Sequence, residues 1–269
     1  DVQPLALSES AWSIEKAAAD DDHGLPFAST EPITIHLPTT DPGVKVSLQI
    51  VLLTQLPLLL LQMKVANKSD KPVTLDRLTL LKVNTAGLHI HGKLPKEPAF
   101  YSNGWQSWST TGSYQRGDQS HESKLGTFQN PMVVNPGTPK PSRRNHFSGD
   151  MFGVLGDLVA RVGFLAGFLS QKKHFGSLET RFDPTPSLAL WANGDGAQLP
   201  VGEETKTDWA ALGFIDMDAP DPLKPYLSAA AKIHGVRSEL PVPVGWCSWY
   251  HFYTNINEAV IDSNLETIL

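Results

Sequence analysis

The segment Leu58–Leu80, LLLLQMKVANKSDKPVTLDRLTL, indicates the fold class of this chain. Its apolar run Leu58–Val65 is followed by the polar stretch Asn67–Pro72 and then by the alternating run Val73–Leu80. Runs of this length favour β-strands when clusters of Asn, Asp, Ser or Pro bound them, because those residues form turns. The segment therefore predicts a strand, a polar turn and a second strand.

Short apolar runs cut by turn residues continue on both sides, from Ile33 to about Phe214. No long amphipathic helical pattern interrupts them, and the region Pro95–Asp150 mixes Gly, Ser, Asn and Pro with aromatic residues. We interpret that region as long loops with some strand. Many short strands with Gly and Pro turns are typical of an antiparallel β-sandwich, so a mainly β fold is predicted. The further predicted strands are Ile33–Leu37, Val44–Ile50, Val159–Ser170, Ser177–Phe182, Leu188–Trp191 and Trp209–Ile215.

The pattern changes after Asp218. Apolar residues at helical spacing before Gly235 predict a linker helix, and they are Leu223, Tyr226, Leu227, Ala230 and Ile233. The segment Val242–Trp249 reads as a buried strand of a parallel sheet, and a helix with Asn255 as its N-cap is predicted after it. One such unit cannot pair both strand edges alone, so the chain is expected to be truncated. The strand is expected to be displaced, disordered or paired with another chain.

Composition and charge exclude several classes of partner. Hydrophobic residues make up 41% and charged residues 19% of the 269 residues, as in folded proteins. The net charge is −6 without basic runs, so nucleic acid is not an expected partner. The most apolar stretch, Ile50–Val65, is interrupted by Pro57 and polar residues, so no membrane span is expected. A cytoplasmic location is expected, and the single Cys247 is expected to be buried in its strand.

Two clusters of aromatic residues are candidates for contact with a carbohydrate. They are Tyr101–Ser109, YSNGWQSWS, and Trp246–Tyr253, WCSWYHFY. Pyranose rings pack their C–H faces on indole and phenol rings, and neighbouring Gln, Asn and Ser side chains can bond the hydroxyl groups. The same rings could instead belong to a hydrophobic core, and composition alone favours that alternative.

Four motifs carry a resemblance to a known family. Gly104–Trp108 (GWQSW), Gly167–Ser170 (GFLS), His174–Gly176 (HFG) and Gly245–Tyr253 (GWCSWYHFY) together resemble the α-galactosidases of glycoside hydrolase family 36. The resemblance covers nearly the whole chain and is weakest before Ile33. It implies an amino-terminal β-supersandwich followed by the first β-α unit of a truncated (β/α)8 catalytic barrel. The implied boundaries are 1–219 for the sandwich, 220–240 for a linker helix and connection, and 241–269 for the barrel start.

The resemblance also implies which residues contact substrate. Trp108 corresponds to a sandwich tryptophan that helps to wall the galactose pocket, and Trp249 and Tyr250 correspond to aromatic residues of the first barrel strand. Trp105 and His251 are adjacent to these and are possible further contacts. Family members are retaining enzymes, in which one Asp attacks the anomeric carbon and a second acts as acid and then base. Both belong to later barrel strands, so no catalytic residue is expected in this chain.

The implied function is that of a fragment of a retaining α-galactosidase-like glycoside hydrolase, inactive alone, that acts on α-galactosides of the raffinose and melibiose class. No cofactor and no metal are expected, and the resemblance implies a homo-oligomer. Two alternatives stay open. One is a fragment of a raffinose-synthase-type transglycosylase, and the other is a non-catalytic carbohydrate-binding or structural β-sandwich.

Other signals in the sequence are weaker. His89 and His91 could begin a metal site, but no third ligand follows at a useful spacing, so surface or turn histidines are favoured. The stretch Asp20–Asp22 favours a solvated acidic turn over a calcium site, because the EF-hand pattern is absent. Asp150 and Glu179 could form a pair of carboxylates, but nothing in the sequence brings them together.

Overall fold

The computed structural model describes residues 13–16, 25–83, 87–121, 133–138, 140–237 and 239–268. These residues divide into two compact units, one that extends to Gly235 and one that begins at Val236. The first unit is built of β-strands and one helix. The described residues of the second form helices and segments without regular structure.

The strands of the first unit are antiparallel to the neighbours with which they pair, which confirms the mainly β, antiparallel fold predicted from the sequence. They are β1 (Ser13–Lys16), β2 (Ile33–Leu37), β3 (Val44–Leu52), β4 (Leu59–Asn67), β5 (Val73–Val83), β6 (Pro98–Ser102), β7 (Gly112–Gln115), β8 (His146–Asp150), β9 (Phe152–Asp157), β10 (Val162–Phe168), β11 (Gly176–Arg181), β12 (Ser187–Leu199), β13 (Glu204–Lys206) and β14 (Ala210–Asp216).

Two sheets face each other in this unit. In the described part of the chain the larger sheet has the order β1-β2-β3-β4-β14-β10-β9-β6-β7, with β13 paired to β4. The smaller sheet has the order β5-β12-β11-β8. Their facing surfaces enclose the main core, where Phe100, Phe147 and Phe168 are almost inaccessible to solvent. Each side chain of this size contributes roughly 1.5–3 kcal/mol by its burial.

The segment Leu58–Leu80 passes from one sheet to the other. β4 belongs to the larger sheet and β5 to the smaller, so the predicted polar turn connects two layers instead of closing a hairpin. Asn67 holds the turn in place. Its Nδ2 donates to the carbonyl oxygens of Lys71 at 2.9 Å and Leu199 at 3.0 Å, and its Oδ1 accepts the Ser69 N–H at 3.0 Å.

Most predicted strands are confirmed with shifted ends, but β9 was not predicted. Its sequence, FGVLGD, contains two glycines, which weaken a strand by local preference. Gly153 is required there, because a Cβ atom would lie 2.9 Å from the ring of Phe100. The close approach of β9 to β6 therefore explains a strand that the local sequence does not favour.

Helix α1 (Lys224–His234) confirms the helix predicted before Gly235, which ends it with a φ of 59°. The helix packs on the outer face of the larger sheet. Tyr226 is buried, and its hydroxyl donates a 2.5 Å hydrogen bond to the carbonyl oxygen of Phe168. Leu227, predicted on the apolar face, is 48% exposed, so the buried stripe is narrower than predicted.

The predicted strand Val242–Trp249 is not formed. Residues 241–248 have no regular structure and pair with no strand in the part of the chain that the structure describes. Helix α2 (Trp249–Phe252) begins where the strand was expected to end. A strand without neighbours has no inter-strand hydrogen bonds to stabilise it, which explains the difference. Cys247, expected to be buried in that strand, is exposed, so that prediction is wrong.

A short 3₁₀ helix (Tyr253–Asn255) and helix α3 (Glu258–Ile268) complete the second unit. Helix α3 confirms the helix predicted here, but Asn257 takes the capping role expected of Asn255. The Oδ1 atom of Asn257 accepts the Val260 N–H at 3.0 Å. Among the described helices, none combines the length and the apolar character that a membrane span needs.

Candidate functional site

The GWQSW motif lies in the loop of residues 103–111 between β6 and β7, which we call the tryptophan loop. Hydrogen bonds within the loop fix its shape: Gln106 Oε1 accepts the Trp108 N–H at 2.8 Å, and the Gly104 N–H donates to Thr111 Oγ1 at 2.9 Å. Gly104 is required, because a Cβ atom would lie 2.6 Å from that of Ser109. On this fixed loop Trp108 is 52% exposed, so much of its indole surface can contact a ligand.

Trp105, the other tryptophan of the loop, is half-buried and contacts Phe175 edge-on, with 5.9 Å between ring centroids. Phe175 belongs to the HFG motif, so the fold brings two of the four sequence motifs together. The buried Nε1 of Trp105 has no hydrogen-bond partner within the described ranges. Buried N–H groups nearly always have an acceptor, so this donor is available for a hydrogen bond to a group outside the described residues.

A buried aspartate fixes the turn between the GFLS and HFG motifs. Asp208 accepts a hydrogen bond from the Ser170 hydroxyl and three from backbone N–H groups, those of Lys172 at 3.2 Å, Lys173 at 2.8 Å and His174 at 3.1 Å. Burial by itself would raise the pKa of Asp208, but these four donors outweigh it and hold the pKa below its ordinary value. The carboxylate is therefore ionised and fully engaged in holding the turn.

Gln171 and His174 of this turn were not proposed as site residues from the sequence, although His174 begins the HFG motif. Burial lowers the pKa of His174, so its ring is neutral near pH 7. Its Nδ1 and the Nε2 of Gln171 are buried without hydrogen-bond partners among the residues described. The Oε1 atom of Gln171 accepts the Gly176 N–H at 2.6 Å, which orients the amide. Gln171 Nε2 and His174 Nδ1 are therefore two further buried polar atoms, in addition to Trp105 Nε1, that lack a hydrogen-bond partner among the described residues.

Asp150 ties both ends of the tryptophan loop to the sandwich. Its N–H donates to the Asn103 carbonyl oxygen at 2.8 Å, and Asn103 Nδ2 donates to the Asp150 carbonyl oxygen at 3.2 Å. Its carboxylate accepts Asn135 Nδ2 at 3.1 Å. At the other end of the loop, Ser109 Oγ donates at 2.8 Å to the carbonyl oxygen of Val133, close to Asn135 in the chain. Asp150 therefore supports the loop directly and through a neighbouring segment.

Asp150 and Glu179 lie on the neighbouring strands β8 and β11, diagonally on the same face. Each carboxylate is engaged elsewhere, so they do not form a pair for acid–base chemistry. Glu179 Oε1 lies 2.9 Å from Arg181 Nη2 and 3.0 Å from His146 Nε2, and these contacts, which outweigh the effect of burial, lower its pKa. Burial raises the pKa of Asp150 despite its hydrogen bonds, one of them from Thr138.

We expect Asp150→Ala to lower the free energy of unfolding by about 2 kcal/mol, because Asn135 and Thr138 lose their acceptor. Urea unfolding measures the loss, and hydrogen exchange should show faster exchange in the tryptophan loop.

Asp150→Asn tests whether the pKa of the Asp150 carboxyl group is raised in the folded protein. A raised folded pKa stabilises the protein below the unfolded pKa of about 3.9, and that stabilisation is lost as pH rises through the folded pKa.

The stability of Asp150→Asn relative to wild type should therefore increase from pH 3 to pH 7. The exposed residue Asp76 provides the control substitution Asp76→Asn, which should change the free energy of unfolding little. A flat difference for Asp150→Asn would contradict the raised pKa.

The histidines predicted as surface or turn residues lie at a turn. Ile90 and Lys93 form an isolated bridge around His91, which has a φ of 52° and whose ring lies 5.2 Å from that of Phe214. No group of three or more possible metal ligands is found in the described part of the chain. The acidic stretch Asp20–Asp22 lies outside the described residues.

The predicted site residues of the second unit lie on helix α2. Trp249 is 55% exposed and Tyr250 is 94% exposed, and His251 is exposed beside them. The Trp249 ring packs edge-on against Tyr253 at 4.7 Å, which leaves its remaining surface accessible. All three side chains can therefore contact a ligand.

Comparison with known proteins identifies the fold. No family model matches the sequence, and no curated protein matches it. The α-galactosidase from Lactobacillus brevis superposes with a TM-score of 0.55 at 13% identity, over 98% of this chain and 34% of that structure. The family 36 α-galactosidase AgaA from Geobacillus stearothermophilus gives 0.53 at 13% identity, over 95% and 34%. An AgaA variant in complex with raffinose gives 0.52 at 14%, over 99% and 36%.

This chain has the fold of the matched part of glycoside hydrolase family 36 α-galactosidases. It spans about a third of the length of these α-galactosidase structures. At 13–14% identity the likeness establishes the fold, and the roles of individual residues rest on the geometry described above.

Proposed function

We propose that this chain is part of a retaining α-galactosidase-like glycoside hydrolase and that its tryptophan loop contacts the galactoside. The observation that carries the proposal is Trp108, half-exposed on a loop fixed by its own hydrogen bonds, within the α-galactosidase fold. An aromatic face that is already held in place packs on the C–H face of a pyranose at little cost in conformational entropy.

Trp105, in the same loop, and the turn that it contacts through Phe175 carry polar atoms without partners among the described residues. Sugar hydroxyl groups need hydrogen-bond donors and acceptors close to the stacking ring. Trp105 Nε1 is a donor that still needs an acceptor, and the neighbouring turn offers Gln171 Nε2 and His174 Nδ1. We propose Trp105 as a second contact of this unit on that basis.

We further propose that Trp249 and Tyr250 contact the sugar in the complete enzyme, with His251 as a possible third residue. Their exposure on helix α2 supports this assignment, because an aromatic side chain that is not part of a core is available to a ligand. Raffinose and stachyose are bound in the AgaA complexes, and α-galactosides of that class are the substrates we propose here.

The catalytic carboxylates are proposed to lie outside this chain. A retaining glycosidase needs two carboxyl groups roughly 5–5.5 Å apart, one of them free to attack and one free to transfer a proton. The aspartates beside the tryptophan loop do not meet this need. Asp208 is saturated by four hydrogen-bond donors, and Asp150 is buried among Asn135 and Thr138. The chain alone should therefore not hydrolyse a glycoside.

The experiment that tests the proposal combines an intact-mass measurement with hydrolysis of a chromogenic α-galactoside. A protein of 29.4 kDa with no turnover is the expected result. Turnover at that mass, with longer species excluded, would place the catalytic groups within these residues and overturn the assignment.

We expect Trp108→Ala to weaken raffinose binding by the 269-residue protein about fivefold, the equivalent of about 1 kcal/mol of lost stacking. NMR titration measures the affinity. Trp246→Ala is the matched control, since Trp246 is also a partly exposed tryptophan, at 43%, and is not proposed to contact sugar. Equal affinities of both variants and wild type would contradict the role of Trp108.

A version ending at Gly235 separates this proposal from a carbohydrate-binding sandwich, because the first unit is compact by itself. Raffinose binding retained in full after that trimming favours the non-catalytic alternative, and its loss favours a site that needs Trp249 and Tyr250. The implied homo-oligomer stays a prediction, which sedimentation equilibrium would test.

A further inference from the structure

An open groove of about 480 Å³ crosses the outer face of the smaller sheet, and none of its lining residues belongs to the tryptophan loop. Its size falls within the range of small-ligand sites. Small side chains of β5 and β12 lie between its charged residues, and they include Thr79, Ser187 and Ala189.

A β-bulge determines which side chains reach this groove. Side chains alternate along a regular strand, so Arg77 and Lys82, five positions apart, would lie on opposite faces of β5. In the pairing of β5 with β12, Leu80 is an extra residue without a partner, because Leu81 pairs with Leu190 and Thr79 already pairs with the following residue of β12. The bulge therefore puts both cationic side chains on the face that lines the groove. Bulges that redirect a side chain are enriched beside binding sites.

The acidic residues of the groove are already neutralised within the chain. Glu179 pairs with Arg181 at 2.9 Å, and Asp183 pairs with Arg116. The contacts with Arg181 and with a histidine also keep Glu179 ionised, so neither acid offers an unshared negative charge to the other groove residues.

Arg77 and Lys82 form no ion pair with any residue that the structure describes. The Arg77 guanidinium lies 4.7 Å from the ring centre of Trp191, and Trp191 is itself fixed by a 3.0 Å hydrogen bond from Nε1 to Asn193 Oδ1. Stacking on an aromatic face orients the planar fork of donors before a ligand arrives. The β5 side of the groove therefore carries two uncompensated positive charges on a chain whose net charge is −6.

We propose that this groove binds an anionic saccharide. Arg77 and Lys82 bind its carboxylate or phosphate oxygens, and the hydroxyl groups of Thr79 and Ser187 lie near its sugar ring. Guanidinium and ammonium groups bind carboxylate and phosphate oxygens through charge-assisted hydrogen bonds. Because the groove is open, it can accept one sugar of a longer chain. The site goes beyond the proposed galactoside site, since it shares no residue with the tryptophan loop or helix α2.

The experiment is a calorimetric titration of the 269-residue protein with three probes. Trigalacturonate carries carboxylates, galactose 6-phosphate carries a phosphate, and galactobiose is neutral. Arg77→Gln and Lys82→Gln should each weaken binding of the anionic probe roughly tenfold, and raising the salt concentration should weaken it in wild type. Lys45→Gln, which replaces an exposed lysine on β3, is the matched control and should bind as wild type does.

Binding of trigalacturonate alone identifies the ligand as a uronate sugar, and binding of galactose 6-phosphate alone identifies a sugar phosphate. Either result, or both, supports the site if the two groove variants lose affinity. The proposal is overturned if neither anionic probe binds, or if Lys82→Gln binds the anionic probes as wild type does. Galactobiose that binds wild type and Lys82→Gln equally reports on the galactoside site and not on the groove. Lys82→Gln decides the matter if Arg77→Gln disturbs the packing of Trp191. Trp108→Ala should leave this binding unchanged, so failure here and failure of the galactoside site are distinguishable.

Discussion

Asp208→Asn is expected to destabilise the protein by about 3 kcal/mol at pH 7, as measured by urea unfolding. The wild-type carboxylate accepts four hydrogen bonds in a buried position. An amide in the same place keeps one oxygen but turns an NH₂ group toward backbone N–H donors, so two or more of those donors lose their acceptor. The turn that carries His174 and Gln171 should then show faster hydrogen exchange.

The loss of stability in Asp208→Asn should depend on pH. Because the folded pKa of Asp208 is lowered, its contribution is present above the unfolded pKa of about 3.9 and is lost as pH falls through the folded pKa. The difference between wild type and Asp208→Asn should therefore be largest near neutral pH and should shrink below pH 4. Asp70→Asn, at an exposed aspartate, is the control and should show a small difference. An effect of Asp208→Asn that is the same at pH 3 and pH 7 would contradict a structural role for its charge.

Local sequence predicted the strands but not their arrangement. The apolar and polar runs of Leu58–Leu80 predict two strands, yet nothing in them shows that β4 and β5 belong to different sheets. The connection between the two sheets is held by Asn67, whose partner Leu199 lies 132 positions away in the sequence. β9 was missed because its Gly153 is explained only by the ring of Phe100 on another strand. In the β4–β5 connection and in β9, tertiary contacts override the local conformational preference of the sequence.

The residues of the candidate site also differ in how well the sequence predicts them. Trp108 was singled out through the resemblance carried by the GWQSW motif, because an aromatic residue among small polar residues suits both a sugar site and a core. Asp208 could not, because Ser170 is 38 positions away and the other donors are backbone groups. Asp150 was considered only as a partner of Glu179, since its contact with Asn103 joins β8 to the loop after β6, and these elements belong to different sheets. The residues that hold the loop are thus harder to predict than the residue it presents.

Tyr226→Ala is expected to cost about 4 kcal/mol of unfolding free energy, because it removes a buried ring and a buried hydrogen bond at once. The ring packs on Phe152 with centroids 5.0 Å apart, and the hydroxyl bonds the Phe168 carbonyl oxygen. Tyr226→Phe keeps the ring and should cost about 1–2 kcal/mol. Urea unfolding measures both variants, with Leu227→Ala on the exposed side of α1 as a control near zero. If Tyr226→Ala costs no more than that control, α1 does not contribute to the stability of the sandwich; if the loss is as large as expected, the helix is part of the sandwich's folding unit.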